Sequence, residues 1–213
     1  MDDKLNEQEI RVLGSLMEKS MATPDYYPLS LNGLTNACNQ KSNRDPVVNW
    51  DEETVLEALK RLEEINLVNE STVGRVPKYE ELFTRTYNLV GAEAAVLCVL
   101  YLRGPQTPGA IRTRTERLHA FDSLDTLQET LSRLSEWGHI QQLPRLPGHK
   151  ESRYTHLLGR KEKELEETHD ENFSMAIADE TNRLDQIEKE IQDMKNELKE
   201  LHNSFESFRK QFE

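Results

Sequence analysis

Hydrophobic positions along the first 160 residues follow a pattern that occurs twice. Residues 54–68 and 126–140 align without a gap and share six of their fifteen residues. The apolar spacing of residues 9–19 returns in residues 93–103. The repeated unit is about 70–85 residues long, and this length predicts a tandem pair of small domains rather than a solenoid.

Each copy predicts three helices followed by a two-stranded β-hairpin. In the first copy, Asn6 and Glu9 have the spacing of a capping box at the start of helix one, and helix two is expected to begin near Ser30. In the second copy, residues 92–102 are apolar almost all round, which predicts a helix buried between neighbours. Thr107 is the expected N-cap of the next helix.

The third helix of each copy carries apolar residues on one face. The two stripes are Val55, Leu59, Leu62 and Ile65, and Leu127, Leu131, Leu134 and Trp137. Asn66 and Gly138 follow these helices, and both residue types tolerate the left-handed conformation at a helix C-terminus. The hairpin strands are expected at residues 67–73 and 82–89, and at residues 140–143 and 152–157.

Three helices with a hairpin directly after the third is the order of a winged helix, which is a variant of helix-turn-helix. We therefore predict a mainly α protein with small β-hairpins, of the α+β class. It consists of two tandem winged-helix domains, residues 1–89 and 90–159, followed by a C-terminal helical coiled-coil arm, residues 160–213.

The C-terminal arm has apolar residues spaced alternately by three and four positions from Leu184 onward. This unbroken seam predicts a coiled coil that joins two copies of the chain in a homodimer. The alternative is a long amphipathic helix that folds back on its own domains. The expected dimerisation residues are Leu184, Ile187, Ile191, Met194, Leu198, Leu201, Phe205 and Phe208.

The net charge of −12 is distributed unevenly along the chain. Residues 1–89 carry −6, residues 90–159 carry +1 and residues 160–213 carry −7. Both third helices are net acidic, and the first includes Glu53 and Glu57. DNA binding depends largely on neutralising phosphates with Lys and Arg, so this charge argues against simple insertion of a third helix into the major groove.

Cations elsewhere in the two copies are candidates for phosphate contact. They lie in the loop before the first third helix, on or just after helix two of the second copy, and in the hairpins. The candidate nucleic-acid-binding residues are Lys41, Asn43, Arg44, Arg75, Lys78, Arg112, Arg114, Arg117, Arg145 and Lys150. For each group the alternative is an ordinary solvated surface.

Catalytic motifs are absent from the sequence: it has no Walker loop, no GxGxxG and no GxSxG. Adjacent carboxylates such as Glu52 and Glu53 point to different faces of a helix, and neither Cys38 nor Cys98 lies in a CxxC motif. We therefore expect no enzymatic activity, no cofactor and no metal. With no signal sequence, no long apolar span and two isolated cysteines, the expected location is a reducing cytoplasm, and no membrane partner is expected.

The segment of residues 30–48, followed by a Val-x-x-Ala-Leu-x-x-Leu helix, resembles the YceH-like family of bacterial proteins. Its most specific part is the octet Asn-Gln-Lys-Ser-Asn-Arg-Asp-Pro at residues 39–46. The similarity continues through residues 87–89 and 100–119 and covers residues 5–160. The resemblance implies two tandem winged helices and supplies no catalytic or ligand-binding residues.

Two functions remain open at this point. The first is a DNA-associated protein, similar to a transcription regulator, that contacts double-stranded DNA through the candidate cations. The second is a protein-docking module that binds no nucleic acid and turns its acidic third helices toward a basic protein partner. Convergence of Lys41, Arg44 and residues 112–117 on one face would favour DNA, and scatter would favour docking.

Overall fold

A computed structural model describes residues 4–71, 74, 76–145 and 151–159 of the chain. Within these residues it contains seven α-helices and five short strands, so the fold is of the predicted α+β class. In chain order the elements are α1 (Glu7–Ala22), β1 (Leu29–Ser30), α2 (Leu31–Cys38), α3 (Glu52–Glu64), β2 (Val68–Ser71), β3 (Lys78–Glu81), α4 (Phe83–Thr86), α5 (Gly91–Arg103), α6 (Pro108–Thr115), α7 (Leu124–Glu136), β4 (Ile140–Gln142) and β5 (Tyr154–His156). All of them belong to one compact unit, Met1–Arg160.

The predicted helix starts are confirmed. At α1 the Asn6 side chain accepts the Glu9 backbone N–H at 2.8 Å, and the Glu9 carboxylate accepts the Asn6 backbone N–H at 2.9 Å. Ser30 and Thr107 cap α2 and α6 with their hydroxyl oxygens. These bonds satisfy N–H groups that the first helical turn leaves unpaired, which is why the sequence alone locates the starts.

The third helices of the two copies, α3 and α7, are each 13 residues long and bury the expected stripes. Ile65, the C-cap of α3, is only partly buried against the core. The fully buried stripe residues are Val55, Leu59, Leu62, Leu127, Leu131 and Leu134. Trp137 is different, because 52% of it is exposed. It is the C-cap of α7, and the chain leaves the helix at Gly138 with φ of 76°, so its side chain no longer follows the apolar stripe.

The hairpin strands differ in part from the prediction. In the first copy, β3 ends at Glu81, and residues 83–86 form the short helix α4 instead of a strand. The Glu81 carboxylate accepts the Thr84 backbone N–H at 2.8 Å, and Phe83 turns into the core, where it contacts the ring of Tyr101. A side-chain hydrogen bond to the first turn of α4 and a buried aromatic residue therefore end the strand early.

Each hairpin gains an additional pairing from a segment ahead of helix two. In the first copy β1 pairs with β3, so the sheet order is β1-β3-β2 and all pairs are antiparallel. In the second copy β4 pairs with β5, and Gln106 forms an isolated antiparallel bridge with Tyr154. The two copies thus share an element order in finer detail than the sequence pattern predicts.

Helix α5 is buried along most of its length, as predicted, and packs against α1. Gly14 permits this close approach, since a Cβ atom there would lie 3.0 Å from the Tyr101 Cβ. The buried residues of both copies form one hydrophobic cluster. The boundary at residue 89 stays a prediction, and the C-terminal seam lies outside the described residues.

Candidate functional site

A cleft of about 1190 Å³ opens between the C-terminal ends of α1 and α5. Its other walls are residues 40–43, which follow α2, and residues 113–118 at the end of α6. Both copies of the repeat therefore contribute equivalent parts, the end of helix one and the end of helix two. The basic residues that line the cleft are Lys19, Lys41, Arg103, Arg114 and Arg117.

The cleft lining is net positive although the whole chain carries −12. The two carboxylates of the lining are Glu18 and Glu116. Glu18 is already neutralised, because it pairs with Lys19 at 3.0 Å and with the buried Arg44 at 2.7 Å. Lys41, Arg114 and Arg117 are exposed, and their side chains form no ion pair or hydrogen bond with other described residues. The arrangement suits a ligand with several negative charges.

Asn43 lies at the tip of the loop between α2 and α3 and faces the end of α5. Its backbone has φ of 60°, and its side-chain oxygen Oδ1 accepts a hydrogen bond from the Arg103 guanidinium. Burial lowers the pKa of Arg103, and the nearby positive charge of Arg114 lowers that pKa further. The cation is therefore held in place but is not neutralised by its hydrogen-bond partner.

Arg44, a predicted phosphate-contacting residue, instead lies in the interior with a fully buried side chain. Its guanidinium donates to both carboxylate oxygens of Glu18, at 3.2 and 2.7 Å, and to the Ala37 carbonyl at the end of α2. Burial by itself raises the pKa of Glu18, but the hydrogen bonds and charge of Arg44 outweigh it and lower the pKa. Arg44 therefore anchors the loop and does not reach solvent.

The rest of the octet at residues 39–46 also holds this loop in place. The Asn39 side chain bonds both the N–H and the carbonyl of Trp50, at 2.9 and 2.7 Å. The Asp45 backbone N–H donates to the Leu102 carbonyl of α5 at 2.9 Å, and Arg11 donates to the Pro46 carbonyl at 2.7 Å. The octet thus connects the two copies by hydrogen bonds and places Lys41 and Asn43 at the cleft.

The remaining predicted residues lie elsewhere. Arg112 lies on another face of α6, where it donates to the Phe121 and Asp122 carbonyls at 3.4 and 3.3 Å. Lys78 in β3 and Arg145 after β4 are exposed and do not line the cleft. Arg75 and Lys150 lie outside the described residues.

The solvent-facing side of α3 is acidic, as the sequence predicts. Glu52, Glu53, Glu57 and Glu64 are all exposed, and α3 contributes no residue to the cleft. The acidic helix and the basic cleft are therefore separate surfaces. On α7, Glu129 is exposed, and Arg133 reaches back to the Glu93 carboxylate at 3.2 Å.

Among the described residues, no group of three or more His, Cys, Asp or Glu side chains is placed to hold a metal ion. In the same part of the chain, no helix has the length and apolar character needed to cross a membrane. Burial raises the pKa of the Cys38 thiol to about 11, and it also raises the pKa of Cys98. A thiol with a raised pKa is a weak nucleophile at neutral pH.

Comparison with known proteins provides a family for this fold. The model of the family described as "Protein of unknown function, DUF480" matches residues 5–149. The chain belongs to that family. The matched residues include the octet and every basic residue that lines the cleft.

Relatives share the name "UPF0502 protein". The protein from Solibacter usitatus is 49% identical over 214 residues, which cover all of both chains. The protein from Geobacter sulfurreducens is 43% identical over 219 residues, again across both full lengths. The protein from Opitutus terrae is 52% identical over 160 residues, which are 73% of this chain and 70% of that one.

Sequence reasoning missed Lys19 and Arg103 as cleft residues. Each is the cation near the C-terminus of helix one in its copy, and the two occupy equivalent positions when residues 9–19 are aligned with residues 93–103. A charge repeated at the same place in both copies is a signal that the sequence contains. The packing of α1 on α5 brings the two ends together.

Proposed function

We propose that this protein is a non-catalytic, DNA-associated protein, similar to a transcription regulator, whose cleft contacts the phosphate backbone of duplex DNA. The observation that carries the proposal is the cleft itself, where five cations from both copies meet in a chain that is otherwise acidic. Lys41, Arg114 and Arg117 come from the sequence prediction, and their convergence supports DNA over docking. Two other residues of that prediction do not take part, because Arg44 is buried and Arg112 lies on another face of α6.

The proposal includes a winged-helix architecture for each copy. Support comes from the order of elements, which is helix, short strand, helix, helix and hairpin, with the short strand paired to the second hairpin strand. Gln106 takes the place of that short strand in the second copy. The proposal also identifies the family with the YceH-like proteins.

The composition of the cleft favours contacts with phosphates over contacts with bases. Among the described residues, no aromatic side chain lines the cleft, so these walls offer no platform on which an unpaired base could stack. Exposed arginines and lysines neutralise phosphates of any sequence. Helix α3, whose exposed face is acidic, does not line the cleft. We therefore propose DNA binding whose affinity depends little on the base sequence.

Removing both outer cations of the cleft should weaken DNA binding. In the double variant Lys41→Gln with Arg117→Gln, affinity for a labelled duplex is expected to fall about tenfold or more, because the variant can no longer form two charge-assisted hydrogen bonds to phosphate. Fluorescence anisotropy with two unrelated duplexes measures the loss of affinity, which should be similar for both sequences.

The matched control is Lys60→Gln with Arg61→Gln, which removes the same charge from the exposed face of α3. It should change affinity by much less than the cleft variant. Equal losses of affinity in the two variants would mean that only net charge matters and that the cleft is not the binding surface. A variant at Arg44 would be unsuitable here, because the loss of its buried side chain would change the stability of the fold.

The acidic face of α3 supports a second candidate, the docking of a basic protein. Under the DNA proposal, Glu53→Lys with Glu57→Lys reduces repulsion and strengthens non-specific binding. Under the docking candidate, the same variant loses a basic partner that the wild type retains, and wild-type DNA affinity at physiological salt is undetectable. DNA titration of this variant beside the wild type separates the two.

We further propose that residues 173–213 join two chains through the predicted seam. The intact protein should then sediment as a dimer at tens of micromolar, and deletion of residues 173–213 should give a folded monomer, because the compact unit ends earlier, at Arg160. Sedimentation of the intact chain as a monomer at that concentration would reject the dimer.

A further inference from the structure

Arg103 and Arg114 form an arginine pair at the cleft whose charge no described carboxylate neutralises by an ion pair. The single hydrogen bond from the Arg103 guanidinium to described residues goes to the neutral oxygen Oδ1 of Asn43. Burial first, and the charge of Arg114 second, lower the pKa of Arg103, and the charge of Asp45 offsets this only in part. An anion beside the pair would counteract this lowering of the pKa, because a negative charge stabilises the charged guanidinium.

Asn43 adds neutral donors beside the pair. Because Oδ1 accepts from Arg103, the amide nitrogen Nδ2 points its N–H groups elsewhere, and it forms no hydrogen bond with described residues. The buried Arg44 donates to the Asn43 carbonyl at 2.9 Å and also to Glu18. These hydrogen bonds hold the Asn43 backbone in place on its buried side. Two guanidinium groups and an amide thus offer several N–H donors at one end of the cleft.

We propose that Arg103, Arg114 and Asn43 bind a single phosphate group. Guanidinium groups present paired N–H donors that match two phosphate oxygens. A terminal phosphate, with about two negative charges, balances both arginines, and a backbone phosphodiester, with one negative charge, balances one of them. The phosphate belongs either to a small phosphorylated ligand or to the DNA backbone, and in the second case the inference rests on the proposed function.

Calorimetric titration of the full-length protein with pyrophosphate at constant ionic strength tests the site. The wild type should bind one pyrophosphate per chain. Arg103→Gln and Arg114→Gln should each weaken binding about tenfold or more, the effect of removing charge-assisted hydrogen bonds. Arg145→Gln, an exposed position outside the cleft, should leave binding unchanged. Because Arg114 is exposed, its variant tests the site without threatening the fold.

Repeating the titration with saturating duplex DNA distinguishes the two sources. Competition would assign the site to a backbone phosphate, and independent binding would assign it to a free phosphorylated ligand. A wild type that binds no pyrophosphate, or binding that survives in both arginine variants, would overturn the inference. Pyrophosphate binding by a protein without DNA affinity would instead reject the proposed function and keep the phosphate site.

Discussion

Replacing Arg44 with methionine is expected to destabilise the fold by about 3–5 kcal/mol, because the change leaves the Glu18 carboxylate buried without its main partner. The side chain of Arg44 is fully buried, and that of Glu18 is only 10% exposed. The same substitution removes two hydrogen bonds to the Ala37 carbonyl at the end of α2. Urea unfolding of the full chain at neutral pH measures the loss of stability.

The destabilisation should depend on pH. Arg44 holds the pKa of Glu18 below its usual value, so the ion pair stabilises the fold above the ordinary pKa of a glutamate, and that stabilisation is lost as pH falls through the lowered pKa. In the Arg44→Met variant, only Lys19 remains to oppose the effect of burial on Glu18. We therefore expect the pKa of Glu18 to rise. The difference in unfolding free energy between wild type and variant should therefore begin to shrink above the ordinary pKa of a glutamate and continue to shrink as pH falls through the lowered pKa of the wild type.

The matched control is Glu64→Gln, which breaks the exposed ion pair between Arg61 and Glu64. It should cost no more than about 1 kcal/mol. The double variant Glu18→Gln with Arg44→Met should cost less than the sum of its single variants, since neither charge then remains buried alone. A destabilisation below about 1 kcal/mol for Arg44→Met would show that the loop is not anchored as described.

Replacing a buried leucine with alanine at equivalent core positions of the two third helices should cause a similarly large loss of stability. Leu59→Ala and Leu131→Ala should each cost about 2–5 kcal/mol, because both side chains are fully buried and their removal leaves a cavity. Thermal or urea unfolding of the full chain provides the measurement. Similar destabilisation in the two variants would fit a single core shared by both copies.

Trp137→Ala is the control for this pair, since it removes a larger side chain that is 52% exposed. It should cost less than either leucine variant despite the greater change in volume. If Leu59→Ala or Leu131→Ala cost less than about 1 kcal/mol, the buried face assigned to that helix would be wrong.

The sequence predicts well what is decided within a few residues. Helix ends depend on neighbouring backbone groups, so their positions follow from local chemistry. Examples are the caps at Asn6, Ser30 and Thr107 and the left-handed residues that follow α3 and α7. The apolar stripes are similarly local, because the helical period places them on one face. Trp137 departs from its stripe because it lies at the cap, where that period ends.

The candidate site is predicted only in part, because it depends on contacts between distant residues. An Arg in a polar loop has the same sequence signature whether it faces solvent or pairs with a carboxylate 26 positions away, as Arg44 does with Glu18. Charge alone is enough to identify Lys41, Arg114 and Arg117 as candidates. Their meeting with Lys19 and Arg103 depends on how α1 packs against α5, which no local pattern specifies.

The salt dependence of DNA binding tests the central claim most directly. For the wild type, log K should fall linearly with log salt, and Lys41→Gln with Arg117→Gln should flatten that slope by about 0.9 for each phosphate that the variant no longer neutralises. The α3 control, Lys60→Gln with Arg61→Gln, should keep the wild-type slope. No measurable affinity at about 50 mM salt, or the same slope in the wild type and the cleft variant, would contradict DNA binding through the cleft.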